Sequence, residues 1–433
     1  MVLAAAGLAA ALAGCASTGG TASAGPGPAV TVARGVAAVE PAADPRPFGA
    51  ADTAFGLSVL RAWCAQYPGR NLVFSPSTLA SALGMAYLGA RGTTAAAMAR
   101  VLDLPADEGT SLAAGLQARA DALGALDGPG VTVSASNRVW ADPSLTPLRG
   151  YLDAVATGYG AGLAQAPFLT SPVTAASKLN SAVSADTRGH ITKLVTPGML
   201  TGVGWVLTSA LYLNAKWATP FDPDKTAPAA FTLADGKTVT ASYLNGSGFS
   251  YAKADGWTAV ALPYQGGKLT MTALLPPSGS GSCALPTEAG LTAVTASLRA
   301  GGTAAVSPGS QGHPGQAATV YLPKVTLDTS GTLGDMKSVL DQLGMGQAFT
   351  NGADFTGLSP LAGKLAFVQQ AATLQVGEKG TVGAAAAAAG ISPTAALANP
   401  VPVWFDRPYL LLVSAQETGE PLFLAEVADP AAS

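Results

Sequence analysis

The sequence predicts an α+β fold with much antiparallel sheet, and three observations carry that prediction. Apolar residues recur at helical spacing early in the chain, whereas β-branched and aromatic runs broken by glycine dominate from residue 131 onward. Near the C-terminus, a stretch of small uncharged residues from Thr381 to Ser392 lies between two strand patterns, as a long connecting loop would.

The elements follow in order. From Ala51 to Gln66, Phe55, Leu57, Leu60 and Trp63 mark one face of a helix that stops at Pro68-Gly69. Asn71 to Phe74 reads as a short buried strand. Ser75-Pro76-Ser77-Thr78 then supplies a cap and an N-terminal proline for a helical run from Leu79 to Leu88. Strands are predicted at Val131 to Trp140, at Val206 to Trp217, several times between Val239 and Leu275, and at Val320 to Leu327. Asp335 to Leu343 is helical in pattern. Ala366 to Gly377 reads as a strand, and Val401 to Val413 with Pro421 to Val427 as a terminal β pair.

Composition excludes several classes of function. The chain has 433 residues, 48% hydrophobic and 11% charged, with 23 Lys+Arg against 26 Asp+Glu. That balance fits a globular chain with a neutral, polar surface and gives no electrostatic footprint for nucleic acid. Its 52 glycines and 31 prolines stay below the share at which low complexity becomes the default.

Residues 1–15 read as a processed segment. Met1 to Gly14 is nearly all apolar and too short to span a bilayer, and Leu12-Ala13-Gly14-Cys15 resembles a bacterial lipobox, with Cys15 as the lipidated residue. The usual basic n-region is missing, since the first Lys or Arg is Arg34. A secretory peptide cut after an alanine is the alternative, and both readings export the protein. Residues 16–47, rich in Thr, Gly, Ala and Pro, read as a flexible tether, and 48–433 as one large domain without internal repeats.

No catalytic centre is legible, so the sequence predicts that the protein is not an enzyme. His190 reads as structural and His313 as solvated, and Asp222 with Asp224 fall in a turn. There is no G-x-S-x-G elbow, phosphate-binding loop or zinc helix. Neither a metal nor another cofactor is expected. Cys64 and Cys283, far apart in sequence, are read as free thiols.

Several segments together resemble the serpin family over about Ala51 to Pro430. They are Asn71 to Pro76 with Gly84 to Ala90, Leu207 to Trp217 followed by Pro220-Phe221, and Leu322-Pro323-Lys324. Further on come Leu340 to Phe349 with Asn351 to Phe355, Glu378-Lys379-Gly380-Thr381, and Phe405 to Tyr409 with Pro421-Leu422-Phe423. The resemblance implies a serpin fold with three β-sheets, about nine helices and an exposed reactive-centre loop that a protease takes for substrate. In such proteins the cleaved loop inserts into the main sheet while the acyl-enzyme is intact, giving a covalent complex with a serine protease, or with a cysteine protease.

On this resemblance the hinge is Glu378, Lys379, Gly380, Thr381, Val382, Gly383, Ala384, Ala385 and Ala386, small enough from Thr381 on to enter a sheet without burying a charge. Counting forward from Glu378 places the reactive bond at Thr394-Ala395, and counting back from Arg407-Pro408 places it at Leu397-Ala398, the favoured pair. No Arg or Lys lies between Gly380 and Arg407, which points to a subtilisin-, chymotrypsin- or elastase-like target and away from a trypsin-like one. Control of sheet opening maps to Ser75, Thr78, Ser209, Gln370 and Trp217. Many members carry Asn at the third of these positions and His at the fourth, and Val382 and Gly383 also depart from the family pattern.

The segment from Leu104 to Gly128 has Arg119 as its only basic residue, so no heparin-like activator is expected. A monomer is expected, at the outer face of the cell membrane through a lipid anchor or secreted. A non-inhibitory serpin, whose loop is a plain substrate or a binding element, is the alternative.

Overall fold

The computed structural model describes residues 30–105, 111–299, 317–329, 331–381 and 400–432. Its strands form three sheets. The main sheet runs in the order β1 (Thr31–Ala33), β4 (Leu163–Gln165), β3 (Val131–Ala141), β5 (Trp205–Lys216), β14 (Gly380–Thr381), β13 (Val368–Gly377) and β12 (Val325–Asp328). A second sheet orders β2 (Leu72–Phe74), β17 (Pro421–Val427), β16 (Tyr409–Ala415), β10 (Leu269–Leu275), β9 (Trp257–Pro263) and β8 (Tyr251–Ala254). The third holds β15 (Val401–Trp404), β11 (Ala318–Pro323), β7 (Thr238–Phe249) and β6 (Ala227–Thr232).

Eight α-helices occur among the described residues, against the nine or so that the resemblance implied. They are α1 (Arg46–Gln66), α2 (Pro76–Gly89), α3 (Gly92–Val101), α4 (Leu112–Gly124), α5 (Arg149–Tyr159), α6 (Pro172–Asp186), α7 (Glu288–Arg299) and α8 (Lys337–Leu340). Both faces of the main sheet are covered, which is why β5 is buried without a break from Trp205 to Leu213 and reads as a continuous apolar run. On one face α6 packs Ala175, Leu179 and Val183 against Trp140, Val206, Ala210 and Ala371. Under the other lies α2, whose Leu79, Leu83 and Ala86 join the largest core with Leu207 and Val368. Ser75 starts α2 as expected: its Oγ accepts the Thr78 N–H at 3.3 Å, and Pro76 follows in the first turn.

The structure corrects four expectations. Cys64 and Cys283 form a disulfide across a sequence separation of 219 residues, because the end of α1 and the loop between β10 and α7 meet beside β17. In the chain-entropy limit such a long closed loop contributes about 5 kcal/mol. Residues 30–47 are no free tether. Thr31–Ala33 pairs antiparallel with β4 as an edge strand, and beyond it the Val36 N–H donates to Asp153 Oδ1 at 2.6 Å and the Ala38 N–H to Thr157 Oγ1 at 2.9 Å. Main-chain pairing of this kind leaves little trace in composition. The pattern from Val401 to Val413 splits between two sheets, β15 pairing parallel with β11 while β16 pairs with β10 and β17. The helix expected to Leu343 is α-helical only over Lys337–Leu340. It widens over Asp341–Met345, where Gly344 at φ 101° turns the chain out of helical geometry.

His190, expected to be a structural residue, is exposed and stacks on Tyr212 with ring centroids 3.8 Å apart. Asp222 and Asp224 sit in an exposed turn, as expected, with the Asp224 N–H donating to Asp222 Oδ1 at 3.1 Å.

Candidate site: the seam of the main sheet

Two central strands of the main sheet, β5 and β13, run parallel and are hydrogen-bonded over only part of their length. Leu207 to Leu211 pair with Val368 to Ala372. Beyond that point the strands part, and β14 lies between them, antiparallel to both. Thr381 is opposite Val376 and Ala215, and Gly380 is opposite Gly377 and Lys216. The first loop residues therefore already occupy the sheet, at the end where the loop begins.

Local chemistry holds this entry point. The Trp217 N–H donates to the Lys379 carbonyl at 3.0 Å and the Phe221 N–H to the Glu378 carbonyl at 2.8 Å. Trp217 Nε1 donates to the Gly377 carbonyl at 2.8 Å, and its ring stacks on Tyr264 with centroids 4.5 Å apart. Lys324 Nζ pairs with Glu378 Oε1 at 2.8 Å, and Thr226 Oγ1 donates to the same oxygen. Partial burial pushes the Glu378 carboxyl up, but the hydrogen bonds from Lys324, from its own backbone and from Thr226, with the Lys324 charge, together outweigh burial and hold it below its ordinary value. Gly380 is required sterically, since a Cβ there would lie 2.1 Å from the Ala215 carbonyl oxygen.

Further down, where β5 and β13 are paired, the other predicted control residues meet over the N-terminus of α2. Ser209 Oγ donates to Thr78 Oγ1 at 2.9 Å, and Ser75 Oγ lies 3.2 Å from Ser77 Oγ. Gln370 Nε2 reaches the Ser75 carbonyl only at 3.4 Å, and among the described residues its buried Oε1 has no hydrogen-bond partner. The cluster is assembled, but its link from β13 to α2 is the weak one.

Three parts of this region are not legible as such in the sequence. Lys324 was legible within Leu322-Pro323-Lys324, though not as the partner of Glu378. Tyr264, which shares a hydrogen bond with Thr381, carried no signal. Arg119 turns inward from α4, only 3% exposed, and donates to Glu420 Oε1 at 3.0 Å, to Ser81 Oγ at 2.9 Å and to Asp52. Burial drives the Asp52 carboxyl above its ordinary range, and the Arg119 guanidinium only partly offsets this. The remaining expected site residues, Val382, Gly383, Ala384, Ala385, Ala386, Thr394, Ala395, Leu397, Ala398 and Cys15, lie outside the described residues, as does His313.

A three-sheet fold whose main sheet is pried apart at one end by its own loop defines a class of proteins built to accept a further strand. The family model "Serpin (serine protease inhibitor)" matches residues 50–430, and the chain belongs to the serpin family. An uncharacterised serpin-like protein of Thermococcus kodakarensis is 30% identical over 364 residues, covering 83% of this chain and 81% of the relative. The leukocyte elastase inhibitor of Bos taurus is 29% identical over 392 residues, 88% of this chain and 99% of that protein. Among solved structures, the native state of the thermophilic serpin tengpin superimposes with a TM-score of 0.74 at 20% identity, covering 92% of this chain and 99% of that one. Human thyroxine-binding globulin superimposes at 0.72 with 23% identity, covering 90% and 100%. Membership implies a protease-inhibitor type of function directed at proteases, and not catalysis, although some serpins, including thyroxine-binding globulin and ovalbumin, do not inhibit.

Proposed function

We propose that the protein is an exported suicide inhibitor of serine proteases, of subtilisin, chymotrypsin or elastase type, that traps the acyl-enzyme by inserting its cleaved loop between β5 and β13. The observation that carries this reading is the seat of Gly380–Thr381 between those strands.

Extending its register residue by residue sets Gly383 opposite Leu374 and Leu213, Ala385 opposite Ala372 and Leu211, and Ala389 opposite Val368 and Leu207. Insertion from Ala385 to Ala389 thus replaces the pairs now made between Leu207–Leu211 and Val368–Ala372. Side chains alternate, and Thr381 already points into the core. Gly383, Ala385, Ala387 and Ala389 follow it inward, all small and uncharged. Even-numbered Ala386 would fall beside Ala371 and Ala210, which pack in one cluster with Ala175, Leu179 and Val183 of α6. The composition of the loop fits both faces of the slot.

Cleavage at Leu397-Ala398, or at Thr394-Ala395, leaves this whole segment attached to the body. The protein is a monomer exported through its first fifteen residues, and Cys15 anchors it by a lipid to the outer face of the membrane.

The test mixes the chain from Ala16 onward with subtilisin, a chymotrypsin-like enzyme and an elastase at equal molar amounts, followed by a denaturing gel and intact mass. An SDS-stable adduct with release of Ala398 to Ser433, or Ala395 to Ser433, is the expected result. Full residual protease activity, with no gain in thermal stability after loop cleavage, overturns the reading in favour of a plain substrate loop.

A further inference from the structure

A second cluster of reactive groups lies outside the seam. Cys64, at the end of α1, is fully buried. Its partner Cys283, in the loop between β10 and α7, is partly exposed. Glu426 on β17, 1% exposed, sets Oε2 3.1 Å from Cys64 Sγ and accepts the Cys283 N–H on Oε1 at 2.6 Å. The two sulfurs and a Glu426 carboxyl oxygen lie within 4.8 Å of one another. Glu426 is paired in register with Leu72 on β2 and Leu410 on β16, so both of its direct cross-strand partners are apolar. Among the described residues, its hydrogen bonds to α1 and to the loop are those with the two cysteines.

We propose that Cys64, Cys283 and Glu426 form a thiol–disulfide exchange site that takes a small thiol or dithiol reductant at Cys283, expels Cys64 and protonates it from Glu426. The geometry assigns each role. Attack falls on the cysteine that is less buried, Cys283, so the sulfur of fully buried Cys64 is the leaving group. A disulfide sulfur carries no proton, so the contact between Glu426 Oε2 and Cys64 Sγ is a hydrogen bond only when the carboxyl is the donor. Burial keeps that proton in place, pushing the Glu426 carboxyl up to about 7 while the Cys283 N–H works the other way.

In the step itself, the incoming thiolate bonds to Cys283 Sγ and the Cys64–Cys283 bond breaks. Its electron pair goes to Cys64 Sγ, which takes the Glu426 proton. The new Glu426 carboxylate retains the Cys283 N–H until it regains a proton from solvent. With a dithiol, its second thiolate then attacks the reductant's own sulfur in the mixed disulfide, closing the reductant's disulfide and releasing Cys283, which is protonated by solvent. One protein disulfide is reduced and one dithiol oxidised.

The test follows reduction of the folded full chain by dithiothreitol from about pH 5 to about pH 9, each rate divided by the reductant's thiolate fraction. The corrected rate is expected to be flat at low pH and to fall about tenfold per pH unit above about pH 7, and Glu426→Gln is expected to abolish the bend. Identical profiles for the two proteins overturn the proposal. Because the variant could fail to fold, a second measurement uses the unaltered chain. After brief exposure to 2-mercaptoethanol and an alkylating quench, peptide mass mapping should find the mercaptoethanol on Cys283 and the alkyl group on Cys64. The reverse pattern, or no reaction short of unfolding, equally overturns it.

Discussion

Tyr264 and Thr381 share a hydroxyl–hydroxyl hydrogen bond of 2.5 Å inside the core, tying β14 to the sheet beneath it. Burial pushes the Tyr264 phenol above its ordinary range, with the Thr381 bond working against the shift, so this contact joins neutral groups across the working pH range. On the proposed insertion, an inward Thr381 would set the parity of the strand that follows, with Gly383 and Ala385 inward.

Gly380→Ala should expel β14. Its Cβ would collide with the Ala215 carbonyl oxygen and the Lys216 Cα, both backbone atoms that cannot move aside. The expected outcome is faster amide exchange at Thr381 and Val376, with exchange at Ala210 unchanged because the paired part of β5 and β13 is untouched. Hydrogen exchange read by mass spectrometry on the native chain checks it.

Two substitutions under the sheet should differ in the size of their cost. Thr78→Val removes the acceptor of the buried Ser209 hydroxyl and should destabilise by about 1–3 kcal/mol. Gln370→Leu removes a long hydrogen bond together with an unpaired buried oxygen, and should change stability by less than about 1 kcal/mol. Denaturant midpoints of the two variants, taken side by side, decide it.

Arg119→Met should be severe. It strands the Asp52 and Glu420 carboxylates in the core without their cation, a loss of about 3–5 kcal/mol. Adding Asp52→Asn and Glu420→Gln should recover much of that loss, since no buried charge then remains. Equilibrium unfolding of the single and triple variants measures both effects.

Glu426 should give stability a defined pH dependence. Its carboxyl is raised from 4.5 to about 7, so the folded state binds this proton more tightly than the unfolded chain. The contribution is fully present below pH 4.5 and is lost as pH rises through about 7, a total of about 3 kcal/mol. Unfolding free energies from pH 4 to pH 8 should show this fall, and Glu426→Gln should remove it.

Much of the candidate site was legible through the resemblance to the serpin family, carried by segments that also show local patterns. Ser75 and Thr78 belong to a capped helix start, Trp217 ends a long apolar strand, and Glu378 to Thr381 open a run of small residues between two strands. Long-range partners left no such trace. Lys324 with Glu378, Tyr264 with Thr381, and Arg119 with Asp52 and Glu420 meet only through the packing of separate elements.

The sequence by itself determined the class of fold and the order of its main strands and helices, since each depends on periodicity, capping and composition over short stretches, while its resemblance to the serpin family implied a hinge from Glu378 onward. Tertiary structure decided what is joined across the chain. It bonded Cys64 to Cys283, drew Thr31–Ala33 out of a presumed tether into the main sheet, and seated Gly380–Thr381 between β5 and β13. Disulfide closure and backbone pairing depend on where distant segments meet in space, and backbone groups pair alike whatever side chains they carry.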